Sequence, residues 1–167
     1  QKFKKIELKN FKINFDFKNI KKYKNIFKKQ INHIPVDFNK GKIILFDGKE
    51  HVASINKTNI DLKFVEGYVH SILRGKFLND DLYFTIESRK VDDAVASDFI
   101  LKLSDLNLLA KANLLHTKKN KNSISGNVLI KKNKNKITTN IEYNDNGLNV
   151  KESIVKNSFM DAFWIFF

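Results

Sequence analysis

The chain has 167 residues, no cysteine and one proline, with 42% hydrophobic and 12% aromatic residues. That length suits one domain with a real core, the composition argues against disorder, and disulfides and cysteine-ligated metals are excluded. The formal net charge is +13, yet only Arg74 and Arg89 of its 31 basic residues are arginine. Phosphate-reading surfaces favour arginine's planar fork, and Lys, Asn, Ile and Phe all have AT-rich codons. The lysine excess is therefore read as solvated surface, and no nucleic-acid partner is expected.

In chain order, Phe3, Ile6 and Leu8 form an irregular strand that Asn10 breaks. Phe11, Ile13, Phe15 and Phe17 alternate with Lys12, Asn14 and Asp16, a half-buried strand. The period then changes. Ile20, Tyr23, Phe27, Ile31 and Ile34 recur at spacings of three and four among lysines, which predicts an amphipathic helix over 19–32, stopped by Pro35. It is read as a cover for one end of a sheet, with a basic helix on a membrane surface as the alternative.

From 36 to 155 the pattern predicts an antiparallel meander. Asp47-Gly48-Lys49-Glu50 joins the strand ending at Phe46 to His51–Ile55, a strong hairpin signal. Further strands are expected over Asn59–Glu66, Val69–Leu78 and Leu82–Ser88, with Asn79-Asp80-Asp81 as a turn and Val91–Ala96 as a short connection. The clearest alternation lies between Ser97 and Val155. Phe99, Leu101 and Leu103 share one face, followed by Leu106, Leu108, Ala110, Ala112 and Leu114. Ile124, Gly126, Val128 and Ile130 continue it, then Ile137, Thr139, Ile141 and Tyr143, then Leu148 and Val150. The expected fold is mainly β, a long curved antiparallel meander of about eleven strands with one helix, forming a single domain over 1–167.

Motifs for chemistry are absent. His33, His51, His70 and His116 are scattered, and Asp80-Asp81, Asp92-Asp93 and Asp145-Asn146-Gly147 read as turns. Ser153-Ile154-Val155-Lys156 matches S-x-x-K, but on a strand the serine and the lysine face opposite sides. No phosphate loop, nucleophile elbow or H-E-x-x-H occurs. The chain is expected not to be an enzyme and to hold no metal or cofactor. No run of 18 apolar residues is present, and Phe159–Phe167, though apolar, is too short to span a bilayer. Its start in mid-strand and its apolar end suggest a piece of a longer protein.

The stretch Ile34–Gly48 resembles the "G-x-I-x-x-x-D" hairpin of AsmA-like envelope proteins. Ala53–Leu62, the glycine-centred Arg74-Gly75-Lys76-Phe77, Asp98–Leu103 and Ser123–Ile130, with its "x-x-G-x-x-x-I", resemble that family's later strands. The resemblance covers about residues 30 to 155. It implies a periplasmic segment of a Gram-negative envelope protein, whose parent is attached to the inner membrane by an N-terminal anchor missing from this chain. The implied function is phospholipid binding and transport, and outer-membrane assembly, along an apolar β-groove. Phospholipid acyl chains and other envelope proteins would be the partners. Lipid-facing candidates are Leu106, Leu108, Ala110, Ala112, Leu114, Ile124, Val128, Ile130, Ile137 and Ile141. The same residues would equally pack an ordinary closed core. The alternative function is a non-catalytic structural or adhesive β-scaffold that mediates protein–protein assembly.

Overall fold

A computed structural model describes residues 5–19, 35–65, 67–117, 123–144, 147–156 and 163–164. They form one twelve-stranded sheet. The strands are β1 (Ile6–Lys9), β2 (Lys12–Asp16), β3 (Val36–Asp47), β4 (Glu50–Val65), β5 (Tyr68–Phe77) and β6 (Asp80–Val91). They continue as β7 (Ala94–Leu103), β8 (Leu108–Thr117), β9 (Ser123–Lys132), β10 (Asn135–Asn144), β11 (Gly147–Lys156) and β12 (Phe163–Trp164). From β3 to β12 spatial order follows chain order, each strand pairing antiparallel with the next. The expected antiparallel meander is present, because period-two alternation and tight turns leave neighbours in sequence as the nearest partners.

Several expectations are corrected in detail. β1 and β2 both run parallel to β3, along its Val36–Asn39 and Lys42–Phe46 segments respectively. The break at Asn10 (φ 57°) separates them, and Phe11 then lays its ring over Gly41 and edge-to-face on Phe38 at 5.3 Å. A Cβ on Gly41 would fall 2.1 Å from that ring, so the close approach requires glycine. The two strands expected over His51–Ile55 and Asn59–Glu66 are one, β4. Lys57 takes φ 49° at a register shift against β5, and Thr58 is fully buried with its hydroxyl donated to the Ile55 carbonyl. This bulge moves the alternation out of phase, which mimics a strand boundary. The supposed connection Val91–Ala96 is paired up to Val91↔Ala94, leaving only Asp92 and Asp93 in the turn. The helix expected over 19–32 lies outside the described residues apart from Asn19, which closes a short 3-10 turn, Phe17–Asn19. No α-helix occurs among the described residues.

The β5–β6 turn falls at Leu78-Asn79, one residue ahead of its expected place, and both residues have positive φ (51° and 68°). A two-residue hairpin with both centres left-handed follows the strand twist, but it strains leucine, whose Cβ crowds the following carbonyl. Leu78 is 72% exposed, so its side chain contributes almost no packing. Leu78→Asn is therefore expected to stabilise the fold by about 1 kcal/mol, raising the melting midpoint by about 2–4 °C. Thermal denaturation followed by circular dichroism checks this.

Two aspartates tie turns to the sheet. Asp80 is buried, and its carboxylate accepts the backbone N–H groups of Asp105 (2.8 Å) and Leu106 (2.9 Å), fastening the β7–β8 turn. Burial opposes its charge, but these donors, with the N–H groups of Asp81 and Ser104, outweigh it and hold the carboxyl below its ordinary 3.8. Asp16 accepts the N–H of Gly48 (3.0 Å) and of Lys18 (2.9 Å), and these hold its carboxyl low in the same way. A carboxyl depressed in the folded state stabilises the fold above its unfolded pKa. That contribution is lost as pH falls through the lower folded value. Asp80→Asn, which turns a donor toward donors, should lower the melting midpoint by roughly 3–8 °C at neutral pH. The gap to the parent protein should narrow below pH 3.8, as the parent's Asp80 takes up its own proton. Melting curves across that range give the answer.

Candidate functional site: an apolar sheet face

Strand register converts the alternation into surfaces. One row crosses ten strands as Leu8, Phe38, Ile60, Leu73, Phe84, Leu101, Ala110, Ile130, Ile137 and Val155, each directly opposite the next. Every position is apolar. Two residues along each strand, a second row on the same face reads Ile6, Val36, Leu62, Ser71, Ile86, Phe99, Ala112, Val128, Thr139 and Ser153. A third includes Ser88, Ser97, Leu114, Gly126, Ile141 and Val150. Its hydroxyls are paired, Ser88 with Ser97 at 2.8 Å, as are Ser153 and Thr139 at 2.9 Å in the second row. The polar interruptions thus satisfy one another within the face.

Nine of the ten lipid-facing candidates fall on this face. Ala110, Ile130 and Ile137 stand in the first row, Ala112 and Val128 in the second, Leu114 and Ile141 in the third. Leu108 lies at the strand end opposite Leu103, and Ile124 lies between His116 and Tyr143. Leu106 is not among them. It sits in the β7–β8 turn, where its N–H is bonded to Asp80. The same rows continue through β3 to β7 as Phe38, Ile60, Leu73, Phe84 and Leu101, residues the sequence-based candidate set left out. Their alternation was visible strand by strand, and it is the register that aligns them with β8 to β11.

This face is buried at Val36, Ile60, Leu82 and Leu103 and open elsewhere. Among the described residues, the buried hydrophobic side chains are Val36, Ile43, Ile60, Leu82 and Leu103. Ile130 and Ile137, the third pair from the β9–β10 turn, remain 40% and 41% exposed. A second layer stacked about 10 Å away would reduce such positions to near zero. All twelve strands lie in a single sheet instead, and no second sheet occurs among the described residues.

The opposite face is mostly polar and partly self-neutralised. Lys5 pairs with Asp37, Arg74 with Asp61 at 3.1 Å, and Lys76 with Asp81 at 2.7 Å. His70 faces Glu87 across β5–β6, with Nδ1 and Oε1 3.1 Å apart. Tyr83 lies between Arg74 and Lys102, whose cationic groups are 5.6 and 5.7 Å from its ring centre. A depression of about 380 Å³ adjoins Lys57, Arg74, Lys76, Asp81 and Tyr83, and Arg74, Lys76 and Asp81 there are already engaged in these pairs. One mixed row carries Ile72, Thr85, Ile100, Lys111, Leu129, Thr138 and Ile154.

Ser153 and Lys156 do not meet. Ser153 is bonded to Thr139 on the apolar face, whereas Lys156 stands opposite Lys136 on the polar one. Of the histidines, His51 bonds Ser54 at 3.0 Å, and His33 lies outside the described residues. No three metal-capable side chains gather among the described residues, and no helix there is long and apolar enough to cross a membrane. No family model, curated protein or solved structure matches this chain.

Proposed function

We propose that the chain is a non-catalytic lipid-binding and transport segment, of the AsmA-like kind, in which the apolar face carries phospholipid acyl chains. The observation that carries this reading is the unbroken ten-residue apolar row on a sheet face left half open. Strands are spaced about 4.8 Å apart, so nine steps extend the row over about 43 Å. One leaflet's acyl chain spans about half of a ~30 Å hydrocarbon core, so the row exceeds the length of a single chain. Each methylene removed from water contributes about 0.8 kcal/mol wherever it lies along the row. A chain is therefore held by the row as a whole and slides with little change in energy, as a transport track requires. Curvature of the sheet into a groove, a periplasmic setting and an inner-membrane anchor on a longer parent belong to the same proposal.

The test is site-specific photo-crosslinking in a Gram-negative host. Probes at positions 108, 128 and 141 on the apolar face should form lipid adducts. Probes at 113, 129 and 140 on the polar face should form few. Equal yields from the two sets, or none from the first with the fold intact, would overturn the reading.

A further inference from the structure

The polar face holds a second feature. Lys102, Leu109, Lys131, Lys136 and Lys156 form one cross-strand row over β7 to β11, each directly opposite the next. Lys131 faces Lys136, and Lys136 faces Lys156. Directly opposed like charges destabilise a sheet, and the usual remedy is an interleaved carboxylate. Among the described residues, none of these four lysines has a carboxylate partner. Lys102 and Lys131 line one depression of about 240 Å³, with Leu109 between them and Ser104 and Asn107 at its margin.

The position of the row suggests its ligand. Lys102, Lys131, Lys136 and Lys156 are the chain neighbours of Leu101, Ile130, Ile137 and Val155, four members of the apolar row. Each lysine lies one residue, about 3.3 Å, nearer the strand end than its apolar neighbour. At that end the β9–β10 turn is only Asn133-Lys134. Lysine stems are long enough to bring their ammonium groups round to a strand end while the methylenes rest on apolar surface. We propose that this lysine row binds the phosphate of an anionic phospholipid headgroup whose acyl chains lie on the apolar face, an inference that rests on the lipid reading above. The negative charge offsets the repulsion that the opposed lysines otherwise leave unrelieved.

The test compares the whole chain on phosphatidylcholine vesicles with and without phosphatidylglycerol, by co-sedimentation at low salt. The parent protein should bind phosphatidylglycerol-containing vesicles about tenfold or more tightly, and salt should erase most of that preference. Lys131→Gln/Lys136→Gln/Lys156→Gln should abolish the preference without altering circular dichroism or binding to pure phosphatidylcholine. Lys40→Gln/Lys49→Gln/Lys63→Gln, which removes equal charge elsewhere, should keep it. A preference that survives the first triple variant, or that both variants lose equally, overturns the proposal. So does lysine-row-dependent binding to duplex DNA without any vesicle preference. The crosslinking experiment separates the two ideas. Adducts on the apolar face without a lysine-dependent preference defeat this inference alone, whereas the preference without adducts defeats the transport reading and, with it, the placement of the bound lipid's acyl chains on the apolar face.

Discussion

Gly126→Val is expected to destabilise the fold by about 3 kcal/mol or more, lowering the melting midpoint by about 6–12 °C. Gly126 lies in the middle of β9, opposite Leu114 on one side and Ile141 on the other. A Cβ built there would stand 1.9 Å from the carbonyl oxygen of Asn113, 2.9 Å from its carbonyl carbon and 3.0 Å from the Cα of Leu114. All three are backbone atoms, so no side-chain rotation relieves the contact, and β8 and β9 must part locally. Even Gly126→Ala meets the same obstacle, because the offending atom is the Cβ itself. Ser125→Ala, next door and exposed, should stay within about 0.5 kcal/mol. Urea titration of the three variants checks the ranking. Near-equal stability of Gly126→Ala and the parent would mean that β8 and β9 part at Gly126 at little cost.

That glycine illustrates which parts of the structure the sequence carries on its surface. Its place in the apolar alternation between Ile124 and Val128 was legible, and so was the face it belongs to. The backbone contact that demands glycine was not, since it depends on how β8 crosses. The same division holds elsewhere. Leu108, Ala110, Val128 and Ile137 declare their common face through period two alone, because adjacent residues of a strand must point to opposite sides. Lys57 hides a bulge within β4, since an alternation thrown out of phase looks the same in sequence as a strand that ends. Leu78 conceals a left-handed turn, because leucine is seldom found there. The parallel pairing of β1 and β2 on β3 is nonlocal, and no turn residue encodes it.

The lysine row was the least legible element. Lys131 and Lys136 are close in sequence, but Lys102 and Lys156 are distant, and lysine is spread over most strands. Only register brings these four into one line and leaves that line without a carboxylate among the described residues. A composition-level reading treats all the lysines alike. The sheet separates those neutralised by neighbours, such as Lys76 with Asp81 and Lys151 with Glu142, from those that are not.

The apolar face poses one question that sequence leaves open, whether it is closed by protein or left open for lipid, and Ile130→Asp answers it. Ile130 stands in the first row between Ala110 and Ile137 and is 40% exposed. In a dry, closed core an unpaired carboxylate would be severely destabilising, and the variant would unfold or shift its pKa strongly upward. On an open face the carboxylate keeps its water. The expected cost is then the lost strand preference and part of the methylene burial, about 1 kcal/mol, or about 2–4 °C in melting midpoint. Lipid binding should respond far more steeply. A charge within the row forces an acyl chain either to desolvate a carboxylate or to leave the row there, and several methylene contacts of about 0.8 kcal/mol each are lost together. Adduct yield from a probe at position 128 should fall at least about tenfold, since 1.4 kcal/mol already corresponds to that factor. The two readouts move independently. A folded variant that has lost lipid identifies an open, lipid-carrying face; an unfolded one identifies a core covered by protein; a folded one with undiminished lipid removes the row from the transport path.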